Sequence, residues 1–155
     1  MDILENYSEC IRDFINNKSI TAKIFSRESG VNATTVNDCL HKKYLPNLKN
    51  TLNIADYMEC SLEYLFGKTD KTLGFSLIPR VIPFYDNLIN IMENQGITIN
   101  QLEKSDLKIT YSYFNRWKKG ELPQLIVLNN LSNYLACTTD MLVGRERIEL
   151  KKQKI

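Results

Sequence analysis

The chain repeats one pattern at an offset of 77 positions. Ile20-Thr21 is answered by Ile97-Thr98, Leu45-Pro46 by Leu122-Pro123, Tyr57 by Tyr134, Cys60 by Cys137, and Leu65-x-Gly67 by Leu142-x-Gly144. Matches this dense in a single register mark a duplicated unit. Duplication limits what can form, because 155 residues then divide into two units of roughly 70 residues, close to the smallest size that sustains its own hydrophobic core. Units that small are expected to be compact, and the spacing of their apolar residues is helical.

In the first repeat Ile3, Leu4, Tyr7, Ile11, Phe14 and Ile15 recur at three- and four-residue steps and predict a first helix. Thr21 stands as an N-cap before Ala22 to Ser29, with Phe25 inward and Gly30 as a left-handed stop. Asn32 caps a third helix with Val36 and Leu40 inward, closing near His41-Lys42-Lys43. After Pro46, the residues Leu48, Leu52, Ala55 and Met58 form a fourth apolar stripe, and Ser61 caps a short fifth helix ending at Gly67. The second repeat predicts helices over Phe84 to Asn94, Thr98 to about Ser105, Thr110 to Lys119, Leu125 to Leu135 and Thr138 to Val143. Its core residues are Leu102, Ile109, Phe114, Trp117, Leu125, Leu128, Leu131 and Leu135. One extra residue in the Ser105 to Lys108 turn and one fewer between Gly120 and Pro123 shift the register and then restore it. The expected fold class is all-α, with domains at 1–68 and 83–145, an apolar linker at 69–82 and a basic tail at 146–155.

The linker is unusual for a connector. Leu73 to Pro83 is apolar and proline-bounded rather than rich in Gly and Ser, so it is expected to pack on a domain surface in preference to forming a dimer contact.

Composition removes several classes of function. No apolar run approaches the roughly 18 residues of a membrane span, and the acidic opening Met1-Asp2-Ile3-Leu4-Glu5 is unlike a secretory signal. No membrane partner is expected, and the expected location is cytoplasmic. Cys10, Cys39, Cys60 and Cys137 are scattered without metal-ligand or redox spacing and read as buried thiols, and His41 is the one histidine. No cofactor, metal or small-molecule ligand is expected. The chain shows no clustered carboxylates, nucleophile and base pair, or phosphate-binding glycine loop, so it is not expected to be an enzyme. Residues 1 to 75 hold nine Lys and Arg against ten Asp and Glu, a balance of −1, and residues 76 to 155 hold eleven against eight, a balance of +3. The second half therefore has the better electrostatics for a polyanion.

Thr21 to Asp38 reads as a short helix, a tight turn and a second helix with an exposed polar face. Two helices so joined hold the second one's N-terminus away from the body, where it fits the major groove of DNA. Around this helix-turn-helix, Ile20-Thr21, Phe25, Gly30-Val31-Asn32, Thr35-Val36, Pro46, Leu48, Ala55-Asp56 and Ser61-Leu62-Glu63-Tyr64-Leu65-Phe66-Gly67 resemble the phage repressor and Cro-type, or xenobiotic-response-element, family of bacterial regulators. In the second repeat Phe114-Asn115-Arg116-Trp117-Lys118-Lys119-Gly120 resembles that family's recognition-helix ending, and Thr138-Thr139-Asp140-Met141-Leu142-Val143-Gly144 its closing helix.

The resemblance implies two tandem lambda-repressor-like five-helix domains whose third helix reads bases in double-stranded DNA. Carried over by position, the base-facing residues are Ala33, Thr34, Asn37 and Asp38 in the first repeat and Tyr111, Ser112, Asn115 and Arg116 in the second. Arg pairs with guanine O6 and N7 and Asn with adenine N6 and N7, so the second set has the stronger chemistry. Lys118 and Lys119, and in the first repeat Lys23, Lys42 and Lys43, offer phosphate contacts. The polar residue that the family often places first on helix two is replaced by Ala22 and Ile99. The first repeat either reads bases or serves mainly to pack or dimerise. Trp117 is expected in the core, and Tyr57 and Tyr134 as half-buried packing or interface residues.

The leading expectation is a sequence-specific transcriptional regulator, a repressor of phage or mobile-element type, acting as a single chain or a homodimer on DNA. The alternative is an interaction adaptor, an antitoxin or anti-repressor, that uses the same fold on protein partners without reading bases. Its near-neutral charge, Asp38 and the apolar linker favour the second.

Overall fold

Short polar residues start most of the helices. In the computed structural model, which describes residues 2–70, 77–79 and 83–147, Asp2, Thr21, Asn32, Asn47 and Ser61 lie in extended backbone. Each accepts a hydrogen bond from the amide three residues on, opening α1 (Ile3–Lys18), α2 (Ala22–Ser29), α3 (Ala33–Leu40), α4 (Leu48–Met58) and α5 (Leu62–Leu65). A second series follows as α6 (Phe84–Gln95), α7 (Ile99–Lys104), α8 (Tyr111–Lys118), α9 (Leu125–Tyr134) and α10 (Thr139–Leu142). There Thr98 and Gln101 form a reciprocal capping box and Thr138 caps α10, whereas Pro83, Thr110 and Gln124 supply no side-chain cap bond. A first compact unit carries α1 to α5, and a second, Ile78–Glu146, carries α6 to α10.

Among the described residues the regular structure is helical apart from one feature that periodicity did not predict. A two-stranded sheet pairs β1 (Leu77–Pro79) with β2 (Arg145–Arg147). Three residues of the expected apolar linker thus find backbone partners in a strand, which suits a segment that ends in a proline. Residues 71–76 and 80–82 of that linker, and 148–155 of the expected basic tail, lie outside the described residues. No helix among the described residues is long and apolar enough to cross a membrane.

The element starts reproduce the register. Ala22 and Ile99, Leu48 and Leu125, and Leu62 and Thr139 are 77 apart, and Ala33 and Tyr111 are 78 apart. The first helices break the rule: α1 has 16 residues and α6 has 12, so their starts are 81 apart while their ends, Lys18 and Gln95, are 77 apart. One helical turn is missing from α6.

That missing turn hides a contact shared by both units. Asn6 Nδ2 donates to the carbonyls of Tyr64 and Leu65, both at 3.0 Å, and Asn87 Nδ2 donates to those of Met141 and Leu142, both at 2.7 Å. These carbonyls end a four-residue helix, where the i to i+4 ladder has run out and only Tyr64 and Met141 accept from the glycine three residues on. One amide from the first helix therefore closes the last. The glycine of the Leu-x-Gly repeat belongs to the same device: Gly67 has φ +80°, and a Cβ there would come 3.0 Å from Asn6 Cγ. Gly144 repeats the left-handed conformation at φ 78°. An ion pair also recurs in register, Glu63 with Lys68 at 3.7 Å and Asp140 with Arg145 at 3.0 Å, but only the second is withdrawn from water.

In the first unit Tyr7, Ile11, Phe25, Val36, Cys39, Ile54, Leu62 and Leu65 are fully enclosed. The buried face of α4 is Leu48, Thr51, Ile54 and Ala55, with Leu52 and Met58 only half-buried, which corrects the predicted stripe. The cause is polar: Tyr7 Oη donates to Thr51 Oγ1 at 2.9 Å inside the core and draws the hydroxyl inward. On α3 the inward partner of Val36 is Cys39 rather than Leu40, which is half-buried. The Leu40 carbonyl is tied to α1 by Ser8 Oγ at 3.1 Å and Arg12 Nη2 at 2.6 Å. In the second unit all eight expected core residues are buried, joined by Leu88, Met92 and Leu142.

Asn87→Ala should lower the stability of the second unit by about 1 to 3 kcal/mol, because it removes both side-chain bonds to the end of α10. Urea unfolding measures this, and an unchanged midpoint would deny the clamp its role. Burial pushes the Cys39 thiol up from its usual 9.0 to about 12. The neutral thiol is favoured in the folded state, so its contribution is intact below pH 9 and is lost as pH climbs towards about 12. The urea midpoint should fall over that window, less steeply in Cys39→Ala.

Candidate nucleic-acid interface

The turn between α2 and α3 is held by three side chains. Gly30 takes φ 79°, Val31 is buried, Ser26 Oγ donates to the Val31 carbonyl, and Ser29 Oγ accepts from the Val31 amide at 3.3 Å. Asn32 Oδ1 then accepts from the Thr35 amide at 2.8 Å and starts α3. In the second unit α7 ends two residues earlier, and Ser105 Oγ donates to the Leu102 carbonyl at 2.6 Å and accepts from the Leu107 amide at 3.2 Å. Lys108 takes the left-handed position at φ 51°, and buried Ile109 anchors the turn as Val31 does. Both turns thus end on a buried β-branched residue, although their lengths differ.

The helix that follows each turn presents a polar stripe. On α3, Ala33, Thr34 and Asn37 are exposed and Asp38 is half-buried, while Val36 and Cys39 fill the core behind them. On α8, Tyr111, Ser112, Asn115 and Arg116 are all exposed, and Phe114 and Trp117 are buried behind them. Both sets follow the i, i+1, i+4, i+5 spacing of one helix face. Lys118 closes α8 and Lys119 is its C-cap, both exposed. After α3, Lys42 and Lys43 are exposed, with Lys42 left-handed at φ 58°, and Lys23 is exposed on α2. His41 Nδ1 donates to the Asn37 carbonyl at 2.8 Å, so its ring caps the end of α3.

The two faces differ most where Arg116 in the second unit replaces Asp38 in the first. Arg116 Cζ lies 4.9 Å from the centroid of the Tyr113 ring. Tyr113 leans on Trp117 at 5.8 Å, and Trp117 meets Phe84 edge-on at 5.4 Å and Phe114 at 5.1 Å. Trp117 is therefore a core residue, 4% exposed. Tyr113 was absent from the predicted set, yet its i, i+3 spacing to Arg116 was a usable signal. The two helix-four tyrosines part company. Tyr57 packs edge-on against Phe14 and Phe25 and donates to Glu28 at 2.6 Å, whereas Tyr134 is 41% exposed. Leu102 and Ile91 stand in the second unit where the first has Phe25 and Phe14, so Tyr134 has no aromatic shelf.

Electrostatically the α8 end gathers Arg116, Lys118 and Lys119 within four residues, and the corresponding stretch of α3 holds Asp38 followed by Lys42 and Lys43. No group of three His, Cys, Asp or Glu residues that could hold a metal occurs among the described residues. Cys10, Cys39 and Cys60 are buried and Cys137 is half-buried, all as free thiols. No protein-family model matches the chain, and no curated protein or solved structure matches it either.

The two polar helices should respond differently to loss of their first residue. Asn32→Ala removes a cap bond and should cost about 1 kcal/mol, whereas Thr110→Ala removes none and should stay within a few tenths. Denaturant titration of the two variants decides this; equal losses would show that the caps are equivalent after all.

Proposed function

We propose that the chain is a sequence-specific DNA-binding transcriptional regulator, a repressor of phage or mobile-element type, built from two tandem lambda-repressor-like domains. The observation that carries this reading is the exposed α8 stripe Tyr111, Ser112, Asn115 and Arg116, followed at once by Lys118 and Lys119, on a helix whose opposite face is fixed by Phe114 and Trp117. A rigid helix with a polar N-terminal face and a basic end combines the two contacts that DNA recognition needs. Asn115 and Arg116 have donor and acceptor patterns that fit adenine and guanine edges, and the two lysines fit the passing phosphates.

The first unit contributes differently. Its stripe ends in Asp38, which phosphates repel and which fits DNA only as an acceptor for a cytosine amino group. Thr34, Asn37, Lys23, Lys42 and Lys43 remain suited to contacts, so the first repeat serves either as a weaker reader or as a packing module. A single chain with two readers spans successive half-sites, and a homodimer presents one reader per chain about one helical turn apart.

Asp38 and the net charge of only +2 favour a second reading, in which the same faces bind a protein partner as an antitoxin or anti-repressor does. Salt separates the two, since each phosphate contact adds to the slope of affinity against salt concentration. DNA duplexes selected from a random pool should bind tightly at low salt and weaken steeply at moderate salt. Arg116→Ala should lose about 1 to 3 kcal/mol on the selected site and relax its sequence choice, while Lys119→Ala should weaken all duplexes alike. Unchanged affinity and selectivity in Arg116→Ala would reject the reader assignment, and no duplex binding even at low salt would favour the protein partner.

A further inference from the structure

Arg116 is an exposed, long and flexible side chain, and such a group reads a base well only if something holds it. Three observations converge on what holds it here. The guanidinium carbon lies 4.9 Å from the Tyr113 ring centroid, within cation–π range. Tyr113 is itself braced, half-buried and tilted at 44° against Trp117, 5.8 Å away. Trp117 in turn is locked edge-on to Phe84 on α6 and Phe114 on α8. A continuous aromatic path therefore runs from the unit's core to one surface cation.

We infer that Tyr113 is a positioning residue that sets base choice through Arg116, an inference that rests on the DNA-reading role proposed above. Stacking occupies the face of the guanidinium and leaves its N–H edge free, and that edge is the one that donates in pairs to guanine O6 and N7. The ring thus holds the guanidinium in place before DNA arrives and biases the second unit towards guanine. The first unit has no such device, because Thr35 and Asp38 stand in the equivalent places. The two half-sites are accordingly unequal, with a guanine demanded only by the second.

The test uses the full chain and a guanine-containing duplex selected from random DNA. Tyr113→Phe keeps the ring and should bind as the unmodified chain does. Tyr113→Leu should bind the selected duplex about two- to five-fold more weakly, the worth of an exposed cation–π contact, with unchanged affinity for non-specific duplex. Replacing Tyr113 with pentafluorophenylalanine keeps the shape and reverses the ring's quadrupole, so it should reproduce that loss even where Tyr113→Leu fails to fold. In an Arg116→Ala background the loss should vanish, as should the chain's preference for guanine over 7-deazaguanine. A loss that persists in that background, or no loss from either ring replacement while Arg116→Ala alone does weaken binding, overturns the inference. If Arg116→Ala itself changes nothing, the DNA-reading role falls first and takes this inference with it.

Discussion

Each unit depends on an asparagine in its first helix. A four-residue helix such as α5 or α10 is far below the length that persists alone in water, and the ladder of bonds inside it leaves its final carbonyls over. Asn6 and Asn87 each place one amide nitrogen between two of those carbonyls and join the beginning of a unit to its end. Gly67 is part of the arrangement, since any side chain there would meet the Asn6 amide.

Within the same frame the two units hold their third helix by opposite means. The first ties the α3 terminus with polar bonds, Ser8 and Arg12 both reaching the Leu40 carbonyl from α1. The second has Ile89 and Glu93 one turn-shifted offset away, at the corresponding places, and relies on Trp117 wedged between Phe84 and Phe114. A polar tie fixes the end of a helix, whereas aromatic packing fixes its middle. The second solution leaves the last turn of α8 free to carry Arg116, Lys118 and Lys119 without competition from internal acceptors.

What could be read from the chain follows the range of the forces involved. Caps at Thr21, Asn32 and Ser61 were legible because a cap depends on the residue itself and the amide three positions on. The core of the second repeat was legible because leucines at helical spacing have one way to face. The asparagine clamps were not, since the lost turn of α6 moves Asn87 to 81 positions from Asn6 and out of the 77 register. The inward turn of Thr51 was hidden for a related reason: its cause is Tyr7, 44 residues away. The polar stripes at Ala33 to Asp38 and Tyr111 to Arg116 could be placed by position from the family resemblance, but the ring beneath Arg116 required side-chain positions.

The repeated ion pair carries a different kind of information. Glu63 and Lys68 are 15% and 25% exposed, and Asp140 and Arg145 are 9% and 3% exposed. The first pair is the less enclosed, whereas at the second a single change leaves a charge out of water without the one that faces it here. Positions that began as copies have therefore acquired unequal freedom to drift. Change at one member alone costs less at Glu63 and Lys68 than at the more enclosed Asp140 and Arg145.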